Sequence, residues 1–135
     1  MSLSRPRNIP GIGNVDDSDI LAFTPTSLGT DTDGSVSLFF DGSDIGANTN
    51  GEDIDATTFA DSDQLVISTN QRYSVSKVGG GLLIGTDDGY FPKGDEDLII
   101  FTDDSFGANT HGGFLRLADG SDINFKNGNE DVDAV

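Results

Sequence analysis

The sequence predicts an all-β protein, an antiparallel meander of about two propeller-blade-like repeats with a period of about 78 residues. Three observations lead there. Val, Ile, Leu and Phe fall in short clusters bounded by Gly and Asp, and no window of helical length carries a sustained i, i+3, i+4, i+7 apolar pattern. The chain also repeats itself: DILAFTPTSLGTDTDGSVSLFFDGSDI (19–45) aligns without a gap on DLIIFTDDSFGANTHGGFLRLADGSDI (97–123), and the match resumes at EDIDA (52–56) and EDVDA (130–134).

Each strand has its own warrant. Ile20-Leu21-Ala22-Phe23 and Leu98-Ile99-Ile100-Phe101 are continuous apolar runs, the pattern of a strand covered on both faces. From Ser35 to Asp41 the chain alternates, with Val36, Leu38 and Phe40 on one face, and Phe39 then adds to the other. Leu65 to Thr69 is β-branched and bounded by polar turns, and Asp53 to Phe59 alternates weakly. The expected order from residue 52 is strand A (EDIDATTF), B (QLVIST), C (DEDLIIFT), D (GGFLRLADGSDI), then a new A (EDVDAV). Four turn-linked strands suit a propeller blade. Two blades close no ring by themselves, so the alternatives are self-association through repeat edges, a piece of a longer array, or a compact β-sandwich.

The domain plan follows. Residues 1–18 are expected to be an N-terminal tail or partial strand, and 19–135 a single all-β domain in which 19–57 matches 97–135. Roughly 16 of about 39 aligned positions are identical, among them Asp19, Phe23, Gly29, Thr32, Gly34 and the run Asp41 to Ile45. An insertion, 76–92, separates strands B and C, and its LLIGTDDGYFP echoes LVISTNQRYSV.

Charge sets the partners. With 24 acidic and 7 basic residues the formal net charge is -17, which repels nucleic acid and anionic membranes and favours cations or basic protein surfaces. No segment has the length of a membrane helix, so no membrane insertion is expected. Residues 1–15 lack the apolar run of a secretory leader, so export would require a mature fragment or a leaderless route. The absence of cysteine removes disulfides and thiolate metal sites.

The phrases EDIDATTF, QLVIST, DEDLIIFT, FTPTSLG and SLFFDGSD resemble a repeat of large, acidic, secreted or surface proteins of bacteria. The resemblance spans nearly the whole chain after residue 18. It implies propeller-like β repeats and a secreted or cell-surface location, and it brings no catalytic residues with it.

The acidic phrase is the candidate site. Asp41, Asp44, Asn48, Asn50, Glu52, Asp53 and Asp55 lie in one loop-to-strand segment, and Asp119, Asp122, Glu130, Asp131 and Asp133 repeat most of it. Calcium takes several hard oxygen ligands, so Asp41, Asp44, Asp53, Asp55, Asp119, Asp122, Asp131 and Asp133 are its expected ligands, with Asp53 and Asp55 on the face opposite Ile54. The competing use of Asp, Asn and Gly is turn geometry. The spacing is not that of an EF-hand, and DTDG (31–34) becomes NTHG in the second copy. His111 is the only histidine and the only base a Ser-His-Asp triad could use, and it stands in a turn. GGG (79–81) lacks the Lys-Ser/Thr of a phosphate loop. Arg5 and Arg7 make a small basic spot, and Tyr73, Tyr90 and Phe91 are candidates for a sugar-binding surface, with burial of one of them in the insertion's own small core the favoured use. The expected function is a non-enzymatic structural or adhesion module with a protein or glycan ligand; the alternative is a carbohydrate-binding or carbohydrate-cleaving propeller domain.

Overall fold

The computed structural model describes residues 1–47, 53–70, 96–125, Val132 and Val135, with the backbone alone at positions 103 and 104. The insertion 76–92 and the expected strand over EDVDAV lie outside the described residues, apart from those two valines. The described chain holds eight strands and two short 3-10 turns. Among the described residues all strand pairs are antiparallel, as expected of a meander, and no barrel closes.

Strands β1 (Arg7–Ile9) and β2 (Gly13–Val15) form a hairpin within the segment expected to be tail or partial strand. The turn is made by Pro10 and Gly11, Gly11 having φ +85°, and Ile12 N donates to Ile9 O at 3.0 Å. Three apolar residues, Ile9, Ile12 and Val15, are too few to show a period in sequence. Val15 is fully buried and anchors the hairpin. Ahead of it, Met1 pairs with Leu21 in both directions at 2.8 Å, so the first residue occupies the edge of the next strand.

Strand β3 (Ile20–Ser27) pairs with β4 (Asp33–Phe40), and a 3-10 turn, Gly42–Ile45, follows. The main sheet has the order β5-β6-β7-β8, which is also chain order: β5 (Ile54–Asp61), β6 (Gln64–Thr69), β7 (Leu98–Ser105) and β8 (His111–Ala118), then a second 3-10 turn, Gly120–Ile123. The pair β3–β4 and the pair β7–β8 have matching bounds about 78 residues apart, with ladder irregularities at corresponding places: Ile20/Leu21 and Pro25/Ser27, Leu98/Ile99 and Asp103/Ser105. We call residues 19–47 the first unit and residues 53–125 the second.

The two units share one apolar core. Ile20, Phe40, Ile45 and Ala47 of the first meet Ile54, Leu65, Ile67, Ile99, Phe101 and Phe114 of the second. Phe40 and Phe101 are fully buried and meet edge to face, with centroids 5.2 Å apart. Each large side chain of this kind contributes about 1.5–3 kcal/mol by leaving water. Leu65, Ile67, Ile99, Phe101 and Phe114 share the buried face through the register Leu65↔Phe101↔Phe114, and Leu98 and Ile100, on the other face of their continuous apolar run, are half-buried.

Candidate functional site

The candidate site begins with the local chemistry of DGSDI. Asp41 is extended, with φ -102° and ψ 104°, and its Oδ1 accepts from Ser43 N at 3.1 Å and Ser43 Oγ at 2.6 Å. It thereby caps the 3-10 turn, as a short side-chain acceptor does at a helix start. Gly46, in the left-handed region, ends the turn. Asp119 repeats the arrangement with Ser121, and there the left-handed cap is Asn124, at φ 70°.

A second carboxylate completes each motif from the preceding strand end. Asp19 Oδ1 accepts from Gly42 N at 2.9 Å, and Asp97 Oδ1 accepts from Gly120 N at 2.9 Å. Both aspartates are buried. Asp19 Oδ2 also accepts from Asp16 N at 2.9 Å. Burial pushes the Asp19 carboxyl up from its ordinary range against the opposing pull of these two N–H groups, and the charges of Asp16 and Asp41 push the same way as burial.

Asp44 does different work from Asp41. Its Oδ2 accepts from Thr110 N at 2.8 Å, across to the turn between β7 and β8. Thr110 Oγ1 in turn accepts from Asp41 N at 2.8 Å and donates to Gly107 O at 2.8 Å. Beside them Gly107 N donates to Phe39 O at 2.7 Å, and Phe40 and Gly107 form a parallel bridge. The acidic phrase of the first unit is thus a fastener that holds the second unit's turn. Its counterpart Asp122 is exposed.

Asp53 belongs to another group. Its Oδ2 accepts from Asn70 Nδ2 at 3.0 Å, while Asn70 N donates to Asp53 O at 3.1 Å. Burial first, and then the nearby Asp17, raise the Asp53 carboxyl above its ordinary value near 3.8. Asp55 sits at an irregularity of the β5–β6 ladder between the buried Ile54 and Ala56. Asp131 and Asp133 lie outside the described residues, as do Asn48, Asn50, Glu52, Glu130, Gly79 to Gly81, Tyr73, Tyr90 and Phe91. His111 is exposed on β8. Among the described residues, no three or more His, Cys, Asp or Glu side chains are grouped to hold a metal ion, and no helix is long and apolar enough to cross a membrane.

The chain matches no family model, no curated protein and no solved structure with which it was compared. The residues missing from the sequence reading of this region are Asp19, Asp97 and Thr110. Asp19 and its counterpart Asp97, like Thr32 and its counterpart Thr110, are identities of the repeat, so the repeat itself carried their signal.

The Asp53 environment has a measurable consequence. A carboxyl whose folded pKa lies above its unfolded value binds protons more tightly when folded, so its ionisation costs stability at neutral pH. That stability returns as pH falls through the folded value toward about 3.8. Asp53→Asn keeps an acceptor for Asn70 and removes the charge facing Asp17. It is expected to raise the melting temperature at pH 7 by up to about 4 °C and to change it little near pH 4. An equal shift at both pH values in thermal scans would remove ionisation as the cause.

Proposed function

We propose that this chain is a non-enzymatic structural or adhesion module of an acidic extracellular bacterial protein, built from propeller-blade-like units that fasten to one another. The observation that carries this reading is the use of the repeated phrase: Asp41 orders its own turn, and Asp44 reaches across to Thr110 of the next unit. Support for blade-like units comes from the run of four antiparallel strands in chain order, β5 to β8, whose apolar face packs on the preceding hairpin. Calcium is the cation that this reading assigns to the acidic loops, since hard carboxylate oxygens at high negative charge suit it.

Chemical unfolding of the wild type and of Asp44→Ala, each in EDTA and in millimolar calcium, tests both parts. Removing the acceptor of the buried Thr110 is expected to cost about 1–3 kcal/mol even in EDTA. A bound ion adds about 2.7 kcal/mol at a hundred times its dissociation constant. If Asp44→Ala matches the wild type in EDTA and differs only in its response to calcium, Asp44 is a metal ligand and the fastener reading fails. If calcium moves neither protein, the ion leaves the proposal and the fastener remains.

A further inference from the structure

The contact between the two units leaves two surfaces without their counterparts. In the first unit Phe39, Ile45 and Ala47 face the second, and Ile45 and Ala47 are 6% and 2% exposed. The same positions of the second unit are Leu117, Ile123 and Phe125, which are 52%, 64% and 42% exposed. Conversely, the second unit receives the first on Phe101, Phe106 and Phe114. Their counterparts in the first unit are Phe23, Leu28 and Val36, of which Leu28 is 74% and Val36 39% exposed. One end of the chain therefore displays the donor side of the joint and the other end displays its receiving side.

The polar fastener is duplicated at both ends as well. Asp122 corresponds to Asp44, Thr32 to Thr110 and Gly29 to Gly107. The receiving turn already has the required shape: Gly29 and Gly107 have φ of 101° and 102°, and Thr32 Oγ1 donates to Gly29 O at 2.7 Å as Thr110 Oγ1 does to Gly107 O. Sequence identity between the units is thus kept at the polar fastener and at Ile45 and Ile123, while the other apolar positions of the joint differ.

We infer that a second copy of this chain docks on the exposed Leu117, Ile123 and Phe125 through its own Leu28, Val36 and Thr32, repeating between chains the joint that Ile45, Asp44 and Thr110 make within one. Such a contact is heterologous, with different patches meeting, so it closes into a ring or runs on as a filament. Leu28 and Val36 stand where the internal joint has Phe106 and Phe114, and Ala118 where it has Phe40, so the patch is smaller than the internal one and association depends on concentration. Each copy carries a net charge of -17, and screening by salt strengthens the contact. The inference rests on the reading of the chain as fastened units.

Sedimentation of the whole chain from about 10 μM to about 1 mM, in low and high salt, reads the association. The wild type is expected to grow beyond the monomer, more so in high salt. Leu117→Asp/Ile123→Asp removes one side of the contact and Leu28→Asp/Val36→Asp the other. All four positions are exposed, so unchanged melting temperatures verify that both variants fold. Each alone is expected to weaken association at least tenfold, and a mixture of the two to form a one-to-one dimer that grows no further, since each variant retains the surface its partner has lost. A wild type that stays monomeric throughout, or variants that fail to complement, overturns the inference. That failure is separate from failure of the fastener reading, which Asp44→Ala tests within one chain.

Discussion

Phe40→Ala is expected to lower stability by about 3–5 kcal/mol, a fall of roughly 10–20 °C in melting temperature for a chain of this length. Phe40 is fully buried, closes the end of β4 and meets Phe101 edge to face, so alanine leaves a cavity at the joint between the units. The cavity cannot collapse freely, because the neighbouring backbone is held by the Phe39–Gly107 bond and the Phe40–Gly107 bridge. Urea unfolding measures the effect. A loss below about 1 kcal/mol would mean that the hairpin does not rest on the sheet as described. The second unit offers an internal control, since Ala118 occupies the corresponding place.

Gly42→Ala is the second large effect, at about 2–4 kcal/mol. A Cβ at this position would come within 2.6 Å of the Ser18 carbonyl oxygen and closer still to its hydroxyl. The carbonyl belongs to backbone, so the clash is relieved only by moving the chain, which separates Gly42 N from the buried Asp19. Gly120→Ala meets the Glu96 carbonyl oxygen at 2.5 Å and is expected to cost a similar amount. Chemical unfolding of both variants checks the pair. If either is as stable as the wild type, the close approach of turn and strand end is not what requires glycine.

These strands were legible because burial on both faces leaves a continuous run in sequence: Leu65 to Thr69 and Leu98 to Phe101 are buried or half-buried, and they stand where their runs predict. The far half of β3, Thr24 to Ser27, was not legible, since it is exposed, contains Pro25 and has no apolar period to show. The hairpin β1–β2 was hidden for the same reason. At the candidate site, the composition of DGSDI pointed equally to metal ligation and to turn chemistry. Its bonds to Asp19, Thr110 and Asp97 were invisible because the partners lie 23 to 66 residues away and leave no local pattern. Only identity between the units marked them.

Arg116 and Phe40 mark where the two units diverge. Arg116 pairs with Asp119 at 2.6 Å on β8, and the first unit has Leu38 in that place. Neighbouring modules with one backbone plan can exchange strands as they fold, a recurrent source of misassembly in tandem arrays. An exchange of β4 for β8 would set Arg116 opposite Leu21 instead of Ile99, and would put Ala118 where the fully buried Phe40 fills the core. Arg116 would thus face an apolar residue in either pairing, and the loss of Phe40 from the core is what would count against the wrong one.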